Sequence, residues 1–187
     1  YNNSAAPSPG WSSSQVWDEN YVGVWHLNND GSNGTTVVDR TQYGNNGTLL
    51  LNSSTQNAAT TGKINGADDF DGSDDYISLP NGENQFNLQE ITVELWLNPD
   101  VDDLRIDPVS KHGGSSAAGD RSGWGFFRDA TDETFYWSCA ENADWHSLKG
   151  TTPVNAGGGW FYIAGVFSAS GDFQRLYVNG NEDAANN

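Results

Sequence analysis

Ile91-Thr92-Val93-Glu94-Leu95-Trp96-Leu97 alternates without a break. Ile91, Val93, Leu95 and Leu97 recur at every second position, so an extended chain carries them on one face and Thr92, Glu94 and Trp96 on the other. A second run, Trp160-Phe161-Tyr162-Ile163-Ala164-Gly165-Val166-Phe167, is apolar on both faces, which suits a central strand of a two-layer protein. Phe135-Tyr136-Trp137-Ser138-Cys139 has the character of a third strand. Between such runs stand Asp30-Gly31, Asn33-Gly34, Asn46-Gly47, Asn65-Gly66, Asp71-Gly72, Asn81-Gly82 and Asn179-Gly180. Asn and Gly tolerate the positive φ of tight hairpins, so each pair marks an expected chain reversal. Helical periodicity is absent, and residues 100–122, with Pro108 and Gly113-Gly114, are expected as loop. The pattern predicts an all-β protein, a two-sheet antiparallel β-sandwich, with eight Trp, seven Tyr and eight Phe to fill its core.

A length of 187 residues suits one main domain. Residues 1–20, YNNSAAPSPGWSSSQVWDEN, are small, polar and broken by Pro7, Pro9 and Gly10. They are expected to be a linker or the tail of a preceding domain, with the sandwich over 21–187. Eight Lys and Arg against 25 Asp and Glu give a formal charge of -17. That balance excludes nucleic acid and anionic lipid surfaces as partners. Charged residues are only 18% of the chain, so the acidity comes from scarce Lys and Arg beneath a polar surface of Asn, Gly, Ser and Thr. Cys139 is the single cysteine, which rules out an internal disulfide; without a CxxC partner or basic neighbour it is expected as a small buried hydrophobe. No apolar stretch reaches the length of a membrane span, so no membrane insertion is expected. The chain starts at Tyr1 and contains no Met, as would a processed secreted protein or a fragment of a longer one.

Three motifs follow one another: Val24-Trp25-His26-Leu27-Asn28, then Val38-Asp39-Arg40-Thr41-Gln42-Tyr43-Gly44-Asn45-Asn46-Gly47-Thr48, then Asp69-Phe70-Asp71-Gly72-Ser73-Asp74-Asp75-Tyr76-Ile77. Together they resemble the opening motifs of laminin-G-like domains of the concanavalin A-like lectin/glucanase superfamily. Ile91–Leu97, Ser110-Lys111, Gly159–Val166 and Arg175-Leu176-Tyr177-Val178-Asn179-Gly180 keep the family order, so the resemblance spans about residues 21 to 180. Val16-Trp17-Asp18-Glu19-Asn20-Tyr21 is similar to the junction that precedes such domains in microbial cell-surface proteins. The resemblance implies a jelly-roll, concanavalin A-like sandwich. The family continues past its Tyr-Val-Asn-Gly hairpin with strands that return to the core, whereas seven residues follow Gly180 here. A sandwich lacking its last strands is therefore expected, either because the chain is a fragment or because a neighbouring subunit fills an open sheet edge.

Three chemistries follow from that resemblance. The superfamily includes glucanases, which place paired carboxylates on one strand, but Glu94 is the one carboxylate inside a convincing strand. Asp129, Asp132 and Glu133 lack the alternating spacing and suit solvated turns, so no catalytic residue is assigned. Calcium is the second: the resemblance points to the loops at Asp39–Gly47 and Asp69–Asp75, with Asp39, Asn46 and Asp71 as candidate ligands of one structural Ca2+. His26, His112 and His146 have no zinc spacing. Carbohydrate is the third, since saccharide faces stack on aromatic rings while polar groups bond the hydroxyls. Trp145, His146 and Asn142, within Ala140-Glu141-Asn142-Ala143-Asp144-Trp145-His146-Ser147, are the preferred candidates, followed by Trp124 and Tyr136. Asn-x-Ser/Thr sequons at Asn2, Asn33, Asn46 and Asn52 are candidate glycosylation sites, in a number that this composition produces by chance. The expected role is a non-catalytic extracellular or cell-surface adhesion module for carbohydrate or glycoprotein. A structural subunit of a surface layer, filament or adhesin assembled by strand exchange is the alternative, and a glucanase-type glycoside hydrolase the third.

Overall fold

A computed structural model describes residues 16–28, 34–51, 59–80, 86–113, 122–141 and 144–186. Every regular element among them is a strand, every strand pairing is antiparallel, and no helix occurs that could cross a membrane. The chain divides into two units, Tyr1–Gln85 and Phe86–Asn187.

The first unit holds β1 (Thr36–Val37), β2 (Gly47–Leu50), β3 (Ala59–Thr60), β4 (Ala67–Asp68) and β5 (Tyr76–Ser78). The order β1-β2-β5 makes a small sheet, and β3 pairs with β4. Val37 and Leu49 form its buried centre, with Trp25, Leu27, Leu51 and Ile77 packed around them. The Trp25 indole donates to the Asn45 carbonyl at 3.0 Å, which fixes the ring. Asn46-Gly47, expected as a chain reversal, instead opens β2. Gly47 is buried there, and a Cβ on it would lie 2.7 Å from Ile77 and 2.9 Å from Leu79; the glycine serves close packing, not a positive φ. Trp17 packs on Tyr21 at 4.8 Å between ring centroids, and the Tyr43 hydroxyl donates to the Glu19 carbonyl.

The second unit is the sandwich. Its strands are β6 (Glu90–Leu97), β7 (Ser110–Gly113), β8 (Ser122–Arg128), β9 (Thr134–Glu141), β10 (Asp144–Pro153), β11 (Phe161–Ser168), β12 (Phe173–Val178) and β13 (Asn181–Asn186). They form two four-stranded sheets, β10-β9-β8-β7 and β13-β12-β11-β6. β11 is central, as its two apolar faces require. Trp124, Phe126, Phe135, Trp137 and Cys139 from one sheet are buried against Ile163, Phe167, Leu176 and Val178 of the other. Trp137 is the pivot: its ring lies 4.7 Å from that of Phe126, and its Nε1 donates across the core to the Val166 carbonyl at 3.1 Å. Burial pushes the Cys139 thiol up to about 12, in keeping with an inert core position.

One correction concerns an edge strand. The stretch expected as loop over 100–122 contains β7, whose sequence Ser-Lys-His-Gly has no apolar alternation; backbone pairing to β8 creates that strand. The residues after the Asn179-Gly180 turn form β13 along β12, as the outermost strand of its sheet. Asn179 and Gly180 have φ of 50° and 80°, the left-handed pair that a two-residue hairpin demands. β13 is also fastened to the facing sheet. Asp183, at a register shift in the β12–β13 pairing, accepts from the Thr151 and Thr152 amides at 2.9 and 3.0 Å and from both hydroxyls. Its carboxyl titrates below the ordinary value: burial raises it, and the Thr152 and Thr151 bonds outweigh that.

Candidate functional site

The outward face of the β10-β9-β8-β7 sheet follows from strand alternation. In Gly123-Trp124-Gly125-Phe126-Phe127 the large residues Trp124 and Phe126 turn into the core, leaving glycines outside. In β9 the inward partners are Phe135, Trp137 and Cys139, so Tyr136 and Ser138 face out. The register then aligns Ser110 with Gly125, Gly125 with Ser138, and Ser138 with Ser147. A row of small residues therefore crosses all four strands as a trough. The Ser138 and Ser147 hydroxyls meet on its floor at 2.8 Å.

Larger residues form the banks. On one side Phe127 and Tyr136 stack at 4.4 Å with an interplanar angle of 10°. Arg105 covers the outer face of Phe127 at 4.5 Å and Lys149 that of Tyr136 at 5.1 Å. Each cation has a carboxylate: Arg105 Nε lies 2.9 Å from Asp107 Oδ1, and Lys149 Nζ lies 2.7 Å from Asp132 Oδ2. The Lys149 hydrogen bond, helped by Thr134, draws the Asp132 carboxyl down to about 2, and the same bond raises Lys149. Trp145 stands on the opposite bank. Together Arg105, Asp107, Phe127, Ser138, Trp145 and Ser147 line a solvent-open depression of about 180 Å3.

Arg105 and Asp107 belong to the β6–β7 connection, which a buried arginine holds. Arg128 is fully buried, and its NH2 donates to the Val101 and Leu104 carbonyls at 2.7 and 3.1 Å, its NH1 to Val154 at 2.8 Å. Its Nε lies 3.0 Å from Glu133 Oε2, an ion pair whose atoms are not aligned as a hydrogen bond. Glu133 Oε1 accepts from the Asp103 amide at 2.8 Å, and the Arg128 amide donates to the Ile106 carbonyl at 2.7 Å. Arg128, through these hydrogen bonds and its ion pairs with Glu133 and, at 3.8 Å, Asp102, thus secures the segment that carries the Arg105 end of the bank.

The expected carbohydrate residues separate in space. Trp145 lines the depression and Tyr136 belongs to its bank. Trp124 is core, only 9% exposed, with its indole donating to the Phe86 carbonyl at 3.0 Å, so it offers no stacking surface. His146 alternates to the face of β10 opposite Trp145, where its carbonyl accepts from Gln174. Asn142 lies outside the described residues, as do the sequons at Asn2, Asn33 and Asn52. Asn46 is exposed. Ser138, Ser147, Phe127, Arg105 and Asp107 were not singled out from sequence. The Gly-x-Gly of β8 was a usable signal, but its partners depend on register.

The expected calcium ligands also divide. Asp39 is buried, and its carboxylate is filled by the Val24, Thr41 and Asn45 amides at 2.8 to 2.9 Å and the Thr41 hydroxyl at 2.7 Å. Burial raises its pKa and those bonds lower it further, to a net depression. Asn46 Oδ1 accepts from the Asp39 amide at 2.9 Å. Donors aimed at these oxygens leave no room for a cation, so Asp39 and Asn46 are turn-forming residues. Asp71 gathers instead with Asp74 and Asp75, their carboxylate oxygens within 4.8 Å of one another. Asp71 Oδ1 accepts from the Ser73 amide at 2.8 Å, while the buried Oδ1 of Asp75 has no hydrogen-bond partner. An orphaned oxygen among three carboxylates fits a hard, oxygen-preferring cation, and this cluster can hold a metal ion.

A second polar-aromatic group lies on the outer face of the other sheet. Trp96 meets Tyr162 at 5.4 Å, and the Tyr162 hydroxyl donates to Glu94. Burial, then Glu94, pushes Tyr162 up to about 12.

Comparison with curated proteins and with solved structures gives no match. A family model described as the concanavalin A-like lectin/glucanases superfamily matches residues 71–187, from the acidic turn through the whole of the second unit. With that match over more than half its length, and with two packed antiparallel sheets behind it, the chain belongs to the laminin-G-type domains of the concanavalin A-like lectin/glucanase superfamily.

Proposed function

We propose that this chain is a non-catalytic carbohydrate-binding module acting outside the cell, on free glycans or those of glycoproteins, through the trough between Trp145 and the Phe127–Tyr136 bank. The carrying observation is that paired serine hydroxyls are flanked by Trp145 on one side and Phe127 on the other. A sugar ring presents C–H faces to aromatic groups and hydroxyls to serine, arginine and aspartate, the mixture found here. Among the residues lining the depression Asp107 is the one carboxylate, and it is bonded to Arg105; hydrolysis by the usual glycosidase routes needs two. A calcium ion at Asp71, Asp74 and Asp75 is part of the proposal, as a structural ion that relieves the repulsion of three adjacent carboxylates. Titration of the full chain with an oligosaccharide panel, followed by calorimetry, tests the site. Trp145→Ala should weaken binding about tenfold or more with an unchanged far-ultraviolet spectrum. Equal binding by wild type and Trp145→Ala, or no binding across the panel, would overturn the proposal.

A further inference from the structure

We infer that the trough selects uncharged saccharides and rejects acidic ones, with Asp107 as the specificity-determining residue; this rests on the trough being the saccharide site. Arg105 is the cation at the depression, and arginine is the side chain best shaped to hold a sugar carboxylate. Its Nε is already engaged by both oxygens of Asp107, at 2.9 and 3.2 Å. Asp107 therefore occupies the position in which a uronate carboxylate would pair with that edge of Arg105. Being two residues away on the same short segment, it competes at an effective concentration that no free ligand matches.

The same neutralisation recurs along the bank. Lys149 is held by Asp132 at 2.7 Å, so Arg105–Asp107 and Lys149–Asp132 together add no net charge to this face. Both pairs are substantially exposed, and exposed pairs contribute little to folding stability. Their larger effect is on what can approach. An anionic ligand meets two cations already paired and, beyond them, a chain of net charge -17. A neutral ring meets no such opposition and still finds the serine hydroxyls and Trp145.

The experiment compares matched oligosaccharides that differ only at C6: glucose with glucuronate, galactose with galacturonate and mannose with mannuronate. Binding to the full-length wild type, Asp107→Asn and Trp145→Ala is measured at fixed ionic strength. Wild type should prefer the neutral member of a bound pair by about tenfold or more, and Asp107→Asn should shrink that ratio by on the order of tenfold as Arg105 is released. A wild type that binds the uronate as tightly as its neutral partner, or a ratio unmoved in Asp107→Asn, overturns the inference while leaving the site in place. No binding of any pair, or binding untouched by Trp145→Ala, removes the site and the inference with it.

Discussion

Gly165→Ala should destabilise the sandwich, reversing the usual sign of such a change. Gly165 has a φ outside the left-handed region, so alanine meets no backbone penalty, and a glycine-to-alanine change in compatible backbone ordinarily stabilises by about 0.4–1 kcal/mol. Here a Cβ would fall 2.4 Å from Trp137 Cδ2 and 2.7 Å from Cε3. The ring cannot retreat freely: Trp137 is fully buried, lies against Phe126 at 4.7 Å and is tied to the Val166 carbonyl. Overpacking of this kind costs about 1–3 kcal/mol. Loss of the indole hydrogen bond adds about 1 kcal/mol. Set against the backbone gain, the expected net loss is about 1–3.5 kcal/mol. At about 4–8 °C per kcal/mol for a unit of this size, the melting temperature should fall by at least about 4 °C. Urea unfolding followed by tryptophan fluorescence gives the free energy, and Trp137→Leu in the same background supplies the control. The double variant should lose less than the sum of the two single changes, because the shorter side chain vacates the space. A stability loss under about 0.5 kcal/mol, or strict additivity with Trp137→Leu, would refute the steric argument.

Arg128→Met should cost about 3–5 kcal/mol by stranding Glu133, while the double change Arg128→Met/Glu133→Leu should recover part of it; equal losses in both would show that the ion pair is not the cause. Asp39 and Asp183 have depressed folded pKa values, so their contribution is fully present above the unfolded carboxylate value near 3.8 and lost as pH falls through the folded value. Urea midpoints should hold from about pH 7 to 5 and fall below about pH 4, less steeply in Asp39→Asn; parallel pH profiles for wild type and variant would remove Asp39 as a contributor. Added calcium at about 100 times its dissociation constant should stabilise by about 2.7 kcal/mol, and chelator should reverse this. The effect should vanish in Asp71→Asn/Asp75→Asn, and a melting temperature indifferent to both calcium and chelator would count against the ion.

The β class, the central position of β11 and the inward set of β6 were fixed by local chemistry: alternation of apolar residues requires no knowledge of neighbours. The Asn179-Gly180 reversal was equally local, since its backbone angles belong to those two residues alone. Identical local signals can nevertheless serve different ends. Asn46-Gly47 looks like the same turn, yet Gly47 is needed because Ile77 and Leu79 press on it from another strand. The trough lies wholly on the tertiary side. Trp145 stood out in sequence as an aromatic among polar residues, but Ser138, Ser147, Phe127 and the Arg105–Asp107 pair become its neighbours only through strand register and the loop held by buried Arg128. The acidic turn divides the same way: Asp71 was visible as a carboxylate, while Asp39 lost its candidacy because the amides of its own loop, at Thr41 and Asn45, and that of Val24 fold onto its oxygens. Side-chain periodicity is written along the chain, whereas which face meets which partner depends on pairings between residues far apart in it.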